Sequence, residues 1–256
     1  MRANRPWHSS FACRRLAAAG ISPQTVISVA LGGSRLDSQR FKCVDGDRLD
    51  TETAYRLLVG CVVPRPVAWI TTLDDQGRVN AAPFSSYNYV ATSPPMLAVN
   101  IAARPVTGEI KDTARNILRS REFVVNVATE HNLELIHQSA IEYPAEVSET
   151  EALGIALLPS RHVRPPRIAI SPVQMECRLD QAITLGRGIN TLYIGEVVAF
   201  HLSDSVYDGK RIDASALRPL ARLGGPFYAG LGQVFHRPML QRPPGGEGWT
   251  GAVQGD

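Results

Sequence analysis

Short runs of apolar and β-branched residues, separated by turn residues, follow one another along most of the chain. Val67–Leu73 is the clearest early run, and a turn ending in Gly77 follows it. Residues 78–91 predict a second strand or a pair of strands, and Met96–Ala102 predicts a third. The proline pair at 94–95 separates them, because proline has no amide hydrogen to donate to a sheet. The pattern therefore begins as closely spaced strands.

A helix is predicted after the third strand, where Asp112 or Thr113 can cap its first turn and Ile117 and Leu118 form its apolar side. Further elements follow it. They are a strand over Glu122–Ala128, a short amphipathic helix over Glu130–Ala140 with Leu133, Leu135 and Ile136 facing inward, an irregular connection over 142–172, two long strands over Val173–Leu185 and Asn190–Ser203, and a helical turn near Ala214–Leu223.

The predicted strands outnumber the helices and are near neighbours in sequence. This order favours a mainly β protein, a Greek-key-like antiparallel barrel with a few flanking helices, over a doubly wound sheet. No G-x-G-x-x-G motif lies between a strand and a helix, and the glycines of Leu31–Ser34 lack the lysine of a phosphate-binding loop. A Rossmann or P-loop site is therefore not indicated.

Composition limits the function classes. The 256 residues are 44% hydrophobic, enough for one sizeable core. No apolar run approaches the roughly 18–20 residues of a membrane span. The net charge of +3 is misleading, because residues 1–40 hold six arginines and one acid while the remainder carries a charge of −2. A slightly acidic body argues against a nucleic-acid partner.

The four cysteines are scattered, with no C-x-x-C pair and no histidine cluster at metal-ligand spacing. We expect no metal site, and free thiols in a reducing, cytoplasmic compartment. Residues 1–40 are arginine-, serine- and alanine-rich, and residues 1–50 are predicted to form a disordered or targeting-like N-terminal extension. Residues 51–240 are predicted to form the globular domain, and 241–256 a disordered tail.

The segment from Arg65 to Thr113 carries the candidate chemistry. A phosphate monoester needs cations, hydroxyl donors and the free amides at the start of a helix. Residues 111–113, Lys-Asp-Thr, supply all three at a helix start, and Arg104 follows a strand end with a planar fork of donors. Ser85 and Ser86 add short donors. Each feature alone also has an ordinary structural explanation, so the interpretation rests on their occurrence together.

The chain from about Tyr55 to Leu240 is similar to the flavin reductase-like family, the split barrels that bind flavin mononucleotide (FMN). The landmarks are Arg65-Pro66-Val67, Ala82-Pro-Phe-Ser-Ser-Tyr-Asn88, Pro94-Pro95, Arg104, Lys111-Asp-Thr113, Asn116-Ile117, Phe123-Val-Val-Asn126, Ser171-Pro172, Glu176-Cys177, Gly195-Glu196-Val197 and Arg222-Leu-Gly-Gly225. The resemblance implies an FMN-binding split barrel that forms a homodimer, with FMN near the subunit interface.

The resemblance also implies roles for residues. Those along the flavin ring and ribityl chain are Thr71, Thr72, Ser85, Ser86, Tyr87 and Asn88. Those that hold the phosphate are Arg104, Lys111, Asp112 and Thr113, with Asp112 contributing its backbone amide and a helix cap rather than its charge. Arg222–Gly225 and Tyr228 border the open face of the ring. Ala91 occupies a position where relatives often carry a serine, which removes one donor to the flavin.

The implied activity is an FMN-dependent oxidoreductase that accepts hydride from NADH or NADPH at flavin N5. Electrons then pass to a flavin for a partner monooxygenase or to another small acceptor. The chemistry belongs to the cofactor, so no catalytic side chain is required. Two alternatives stay open: an FMN-binding carrier or electron-transfer protein without turnover, and an interaction module on a barrel that has lost the cofactor.

Overall fold

A computed structural model describes residues 41–105, 107–187 and 189–237. The chain divides into two units, Met1–Asp50 and Thr51–Asp256. In the first unit the described residues form one 3-10 turn, Gly46–Arg48. The remainder of the predicted extension, over 1–40, and the predicted tail over 241–256 lie outside the described residues.

The second unit contains the sheet and its helices. Its helices are α1 (Thr51–Cys61), α2 (Asp112–Ser120), α3 (Leu133–Gln138), α4 (Glu149–Ala152) and α5 (Ala214–Leu217), with a 3-10 turn at Glu130–Asn132 before α3. Its strands are β1 (Arg65–Pro66), β2 (Ala68–Leu73), β3 (Val79–Phe84), β4 (Tyr87–Thr92), β5 (Pro95–Ala102), β6 (Glu122–Val127), β7 (Leu157–Leu158), β8 (Arg167–Ile168), β9 (Val173–Leu185), β10 (Asn190–Leu202), β11 (Ala221–Arg222) and β12 (Tyr228–Ala229).

The main sheet is antiparallel, with the strand order β3-β2-β6-β9-β10-β5-β4. Strands β1, β11 and β12 form a small second sheet, and β7 pairs with β8. Side chains from β2, β5, β6, β9, β10 and α2 meet in one hydrophobic cluster. A single sheet whose distant strands share one core is curled into a barrel. The mainly β, antiparallel barrel predicted from the sequence is confirmed.

Strand β2 is buried on both faces. Ala68 and Ile70 belong to the barrel core, whereas Val67 and Trp69 pack with Ile136 of α3 in a second cluster outside the barrel. Alternate residues of a strand point to opposite faces, so a strand covered on both sides reads as a continuous apolar run. The covering layer also brings the segment after α3 and the β11–β12 hairpin beside β3, where the candidate site lies.

Most predicted elements are present, with particular corrections. Of the two possibilities for residues 78–91 the structure has the pair of strands, and the strand predicted from Met96 begins at Pro95. Leu118 is 44% exposed, so the buried side of α2 is formed by other residues, among them Ile117. Helix α1 and the short elements within 142–172 were not predicted. None of the described helices is long and apolar enough to cross a membrane.

Candidate functional site

A cavity of about 420 Å³ opens beside β3. Its walls come from β3, the start of α2, the segment Ser139–Tyr143 after α3, and the β11–β12 hairpin. This volume lies in the range of small-molecule and cofactor sites. Of the ten residues predicted from the sequence to bind the cofactor, those on its wall are Ser85, Arg104, Lys111, Asp112 and Thr113.

The start of α2 forms one end of the cavity. Lys111 precedes the first turn, and no side chain caps this helix end. The first N–H groups of a helix have no partner within the helix, and their dipoles favour an anion. Thr113 accepts a hydrogen bond from Asn80 Nδ2 at 2.9 Å, which leaves its hydroxyl proton available for donation. A cation, amides and a hydroxyl donor thus meet at one point.

Arg104 lies beside this helix start and is held by two carboxylates. Its Nη2 is 2.7 Å from Asp112 Oδ2, and its Nη1 is 3.2 Å from Glu142 Oε1. Asp112 also pairs with Arg115. The prediction that Asp112 caps the helix is therefore wrong, because its side chain makes ion pairs instead. Its charge is neutralised by two arginines, which explains how a carboxylate can stand next to an anion site.

Arg65 forms another part of the wall and carries a buried positive charge. Its guanidinium donates to the carbonyls of Val59 at 2.7 Å, Val62 at 2.6 Å and Leu223 at 2.8 Å, and to Ser85 Oγ at 3.4 Å. Among the described residues no carboxylate pairs with it. Sequence reasoning used Arg65 as a family landmark but missed it as a site residue, although an arginine entering a buried strand is a signal of this kind.

Thr71 and Thr72 are not brought to the cavity. Both are fully buried in β2. Thr71 donates to the carbonyl of Pro166 at 2.6 Å, and Thr72 accepts from Asn116 Nδ2 at 3.1 Å. Side chains with no exposed surface cannot touch a ligand in this cavity. They join β2 to α2 and to the loop before β8, and within the single chain they lie outside the cavity wall.

Ser86, Tyr87 and Asn88 also lie outside the cavity wall. Ser86 and Asn88 are exposed, and the Asn88 side chain accepts from the N–H of Tyr89 at 2.9 Å. Tyr87 packs against the barrel core, and burial raises the pKa of its hydroxyl to about 12. Within a single chain, the predicted serine-rich stretch reaches the cavity through Ser85.

Glu149 is a carboxylate of the wall that sequence reasoning missed. Its Oε2 accepts from the backbone N–H of Ala81 at 2.9 Å, and the neighbouring Ser148 hydroxyl donates to the Val79 carbonyl at 2.6 Å. These two side chains pair the open edge of β3. Burial raises the pKa of Glu149, the Ala81 hydrogen bond opposes this, and the Asp112 charge adds to it. No motif marks Glu149, because it lies within the irregular, proline-marked connection over 142–172.

An arginine–aromatic stack borders the cavity on the β11–β12 side. The Arg222 guanidinium lies 4.3 Å from the centre of the Tyr228 ring, and His137 meets that ring edge-on with 6.1 Å between centroids. Arg222 and Tyr228 both line the cavity. A flat, positively charged surface of this kind suits a planar aromatic ligand.

The donor set fits a flavin mononucleotide. A phosphate suits the end with Lys111, Thr113 and the α2 amides. A planar ring suits the part of the wall formed by Ser85, Arg65 and the stack of Arg222 on Tyr228, which line the same cavity.

Comparisons with known proteins indicate the family of the chain and its fold. The family model described as flavin reductase like domain matches residues 59–220. The Halalkalibacterium halodurans protein BH2278 is 40% identical over 201 residues, covering 77% of this chain and 94% of the relative. The structure of nitrilotriacetate monooxygenase component B from Bacillus cereus is 34% identical, with a TM-score of 0.74, and the match covers 78% of this chain and 100% of that one. The structure of 2-nitrobenzoate 2-nitroreductase NbaA from Pseudomonas fluorescens is 31% identical, with a TM-score of 0.71 and coverage of 80% and 100%.

Proposed function

Because the chain belongs to the flavin reductase-like family, we propose that it binds FMN in the cavity beside β3 and acts as an oxidoreductase that uses NADH or NADPH. The observation that carries this proposal is the uncapped start of α2, where Lys111 and Thr113 meet Arg104. Such a combination of cation, hydroxyl and helix amides is suited to a phosphate monoester.

The proposed site has one part that binds the phosphate and another that binds the ribityl chain and the ring. Lys111, Thr113, Arg104 and the amide of Asp112 hold the phosphate. Ser85 donates to the ribityl chain or ring. We also propose that the flavin contacts Ser86, Tyr87 and Asn88, although these residues lie outside the cavity wall of the single chain. Of the three, Tyr87 is half-buried.

Bound FMN would supply the redox chemistry by accepting a hydride from a reduced nicotinamide and passing electrons to an acceptor. The protein's contribution is to bind and orient. Arg65 places a buried positive charge on the wall, and this charge favours a negatively charged ligand over a neutral one. Arg222 and Tyr228 offer a surface against which a planar group can stack.

The acceptor we propose is a flavin delivered to a partner monooxygenase, since the chain is similar to a protein named as a monooxygenase component. A nitro compound is the second candidate, because another similar protein is named as a nitroreductase. A cytoplasmic location suits both, and in the described residues Cys43, Cys61 and Cys177 are free thiols.

We also propose a homodimer. Helix α1 has no buried residue, yet it carries Tyr55 and Leu58, which are 64% and 63% exposed. On β4, at the end of the main sheet, Tyr89 and Val90 are exposed as well. Clusters of large exposed apolar side chains mark interaction surfaces, and a second copy of the chain would cover them.

FMN binding by the purified protein tests the site. The double variant Arg104→Ala, Lys111→Ala is expected to bind FMN at least about tenfold more weakly, since charge-assisted contacts contribute about 1.5–3 kcal/mol each. Arg119→Ala is a matched control, because Arg119 lies in α2 but outside the cavity wall. Unchanged FMN affinity in the double variant would refute the phosphate assignment. If the protein binds FMN but neither NADH nor NADPH reduces it, the result would favour a non-catalytic FMN-binding carrier. If the protein does not bind FMN at all, the result would favour an interaction module.

A further inference from the structure

The two carboxylates that hold Arg104 are fixed to different degrees. Asp112 belongs to α2 and is bound by Arg104 and by Arg115, and its side chain is 22% exposed. Glu142 follows α3, and its side chain is 61% exposed. Within the described part of the chain, the Arg104 pair is the side-chain contact found for Glu142. Asp112 is therefore anchored from two sides, whereas Glu142 is anchored from one.

Two of the five N–H donors of Arg104 can face carboxylates in this arrangement, one on each terminal nitrogen. Nη2 faces Asp112 and Nη1 faces Glu142. A phosphate held at Lys111 and Thr113 would share Arg104 with both carboxylates, whose charges already offset that of the guanidinium. It would bring further negative charge to the same wall, and like charges repel. The carboxylate that is held less firmly is therefore the one that a bound phosphate would displace.

Glu142 is the carboxylate that is easier to displace. An exposed ion pair contributes little stability, so breaking it costs little, and the Glu142 side chain regains solvent when it moves. Displacing Asp112 would break two ion pairs rather than one. We propose that Glu142 competes with the phosphate of the flavin for Arg104, and thereby sets how tightly FMN is held and how quickly it exchanges.

This inference rests on the proposed function and deepens it. A site in which a resident carboxylate must be displaced holds its phosphate less tightly than its cations allow. FMN then enters and leaves as a diffusible substrate, which suits a protein that delivers flavin to a partner. Riboflavin has no phosphate and leaves the pair between Arg104 and Glu142 intact, so its affinity is independent of Glu142.

The test compares Glu142→Gln with the wild-type protein. Dissociation constants for FMN and for riboflavin are measured by quenching of flavin fluorescence, and the FMN dissociation rate by stopped flow. Removing the competing charge is expected to tighten FMN binding about fivefold, the equivalent of about 1 kcal/mol for one exposed ion pair, and to slow FMN release. Riboflavin affinity is expected to change less than about twofold. Glu134→Gln, an exposed glutamate of α3 outside the cavity wall, is the matched control and is expected to change neither constant.

The outcomes separate cleanly. FMN binding that is unchanged or weaker in Glu142→Gln, with wild-type FMN binding intact, overturns the competition. Loss of both FMN and riboflavin binding in Glu142→Gln and in Glu142→Ala, with thermal unfolding unchanged, shows that Glu142 builds the cavity wall, and also overturns it. Failure of the wild-type protein to bind either flavin refutes the proposed function instead.

Discussion

The carboxylate of Glu149 accepts the backbone N–H of Ala81 at 2.9 Å and thereby pairs the edge of β3 beside the cavity. A strand edge left open exposes unpaired donors and acceptors. Here one edge is completed by side chains, Ser148 on Val79 and Glu149 on Ala81, rather than by another strand. The position of β3, and with it the wall of the candidate site, therefore depends on a buried acid.

We expect the contribution of Glu149 to the free energy of unfolding to fall as pH rises. Burial raises the pKa of this carboxyl in the folded protein. Its contribution is complete below the ordinary carboxyl pKa of about 4.3 and is lost as pH rises through the higher folded value. Glu149→Gln keeps an oxygen for Ala81 but cannot ionise, so its free energy of unfolding should lack this decline. Urea unfolding at a series of pH values, from below about 4.3 upward, measures this free energy, and the exposed Glu151→Gln is the control. Parallel pH profiles for wild type and Glu149→Gln would contradict the prediction.

We expect the contribution of Glu176 to the free energy of unfolding to have the opposite pH dependence. Burial alone raises its pKa, but hydrogen bonds from the backbone N–H groups of 161–163 and from His201 Nε2 outweigh burial and lower it. The stability it contributes is present above the ordinary carboxyl pKa and is lost as pH falls through the lower folded value. Glu176→Gln should lower the free energy of unfolding at neutral pH by about 1–3 kcal/mol. Denaturant unfolding checks this, and exposed Glu196→Gln should be nearly neutral.

Arg65 is expected to matter for stability as well as for binding. Arg65→Ala removes charge-assisted hydrogen bonds to the carbonyls of Val59, Val62 and Leu223, which join the end of α1 to the segment after β11. The expected loss is about 2–4 kcal/mol in the free energy of unfolding. Arg56→Ala, on the exposed surface of α1, is the control and should change it by less than about 0.5 kcal/mol. Equal stability of the two variants would show that Arg65 does not anchor α1.

We expect different effects from two glycine-to-alanine substitutions, one in the barrel core and one in α1. A Cβ at Gly195 would lie 2.6 Å from Cζ of Phe123, so Gly195→Ala overpacks the core and should cost about 1–3 kcal/mol. Gly60 in α1 has open space around it, and Gly60→Ala should be neutral or stabilising by up to about 1 kcal/mol. Thermal unfolding of both variants checks this. Phe123→Leu combined with Gly195→Ala should recover part of the loss, and no recovery would contradict overpacking by Phe123.

The barrel was predictable because its strands carry their own signal. Val67–Leu73 is a run of β-branched and aromatic residues, and in Val173–Leu185 the apolar residues Val173, Met175, Cys177 and Leu179 alternate with polar ones. Lys111 and Thr113 were found because a helix start attracts phosphate wherever it lies. The sequence could not show that Thr71 and Thr72 lie outside the cavity wall, because a threonine in a strand looks the same in sequence whether it faces a ligand or a buried asparagine.

The carboxylates of the site were beyond sequence reasoning for a different reason. Asp112 could equally cap α2 or pair with arginines, and only the position of Arg104 decides between them. Glu142 and Glu149 reach the cavity from a connection without periodicity, so no local pattern places them there. Helix α1 was missed because no residue in it is buried. Each of these depends on contacts between distant segments.

The most direct measurement is an anaerobic titration of the FMN-loaded protein with NADH and with NADPH, followed by the visible absorbance of the flavin. A flavin oxidoreductase predicts that at least one of the two bleaches the flavin, that colour returns when an acceptor is added, and that Arg104→Ala, Lys111→Ala requires more FMN to reach the same signal. A protein that binds FMN but is bleached by neither nicotinamide would contradict the proposed activity.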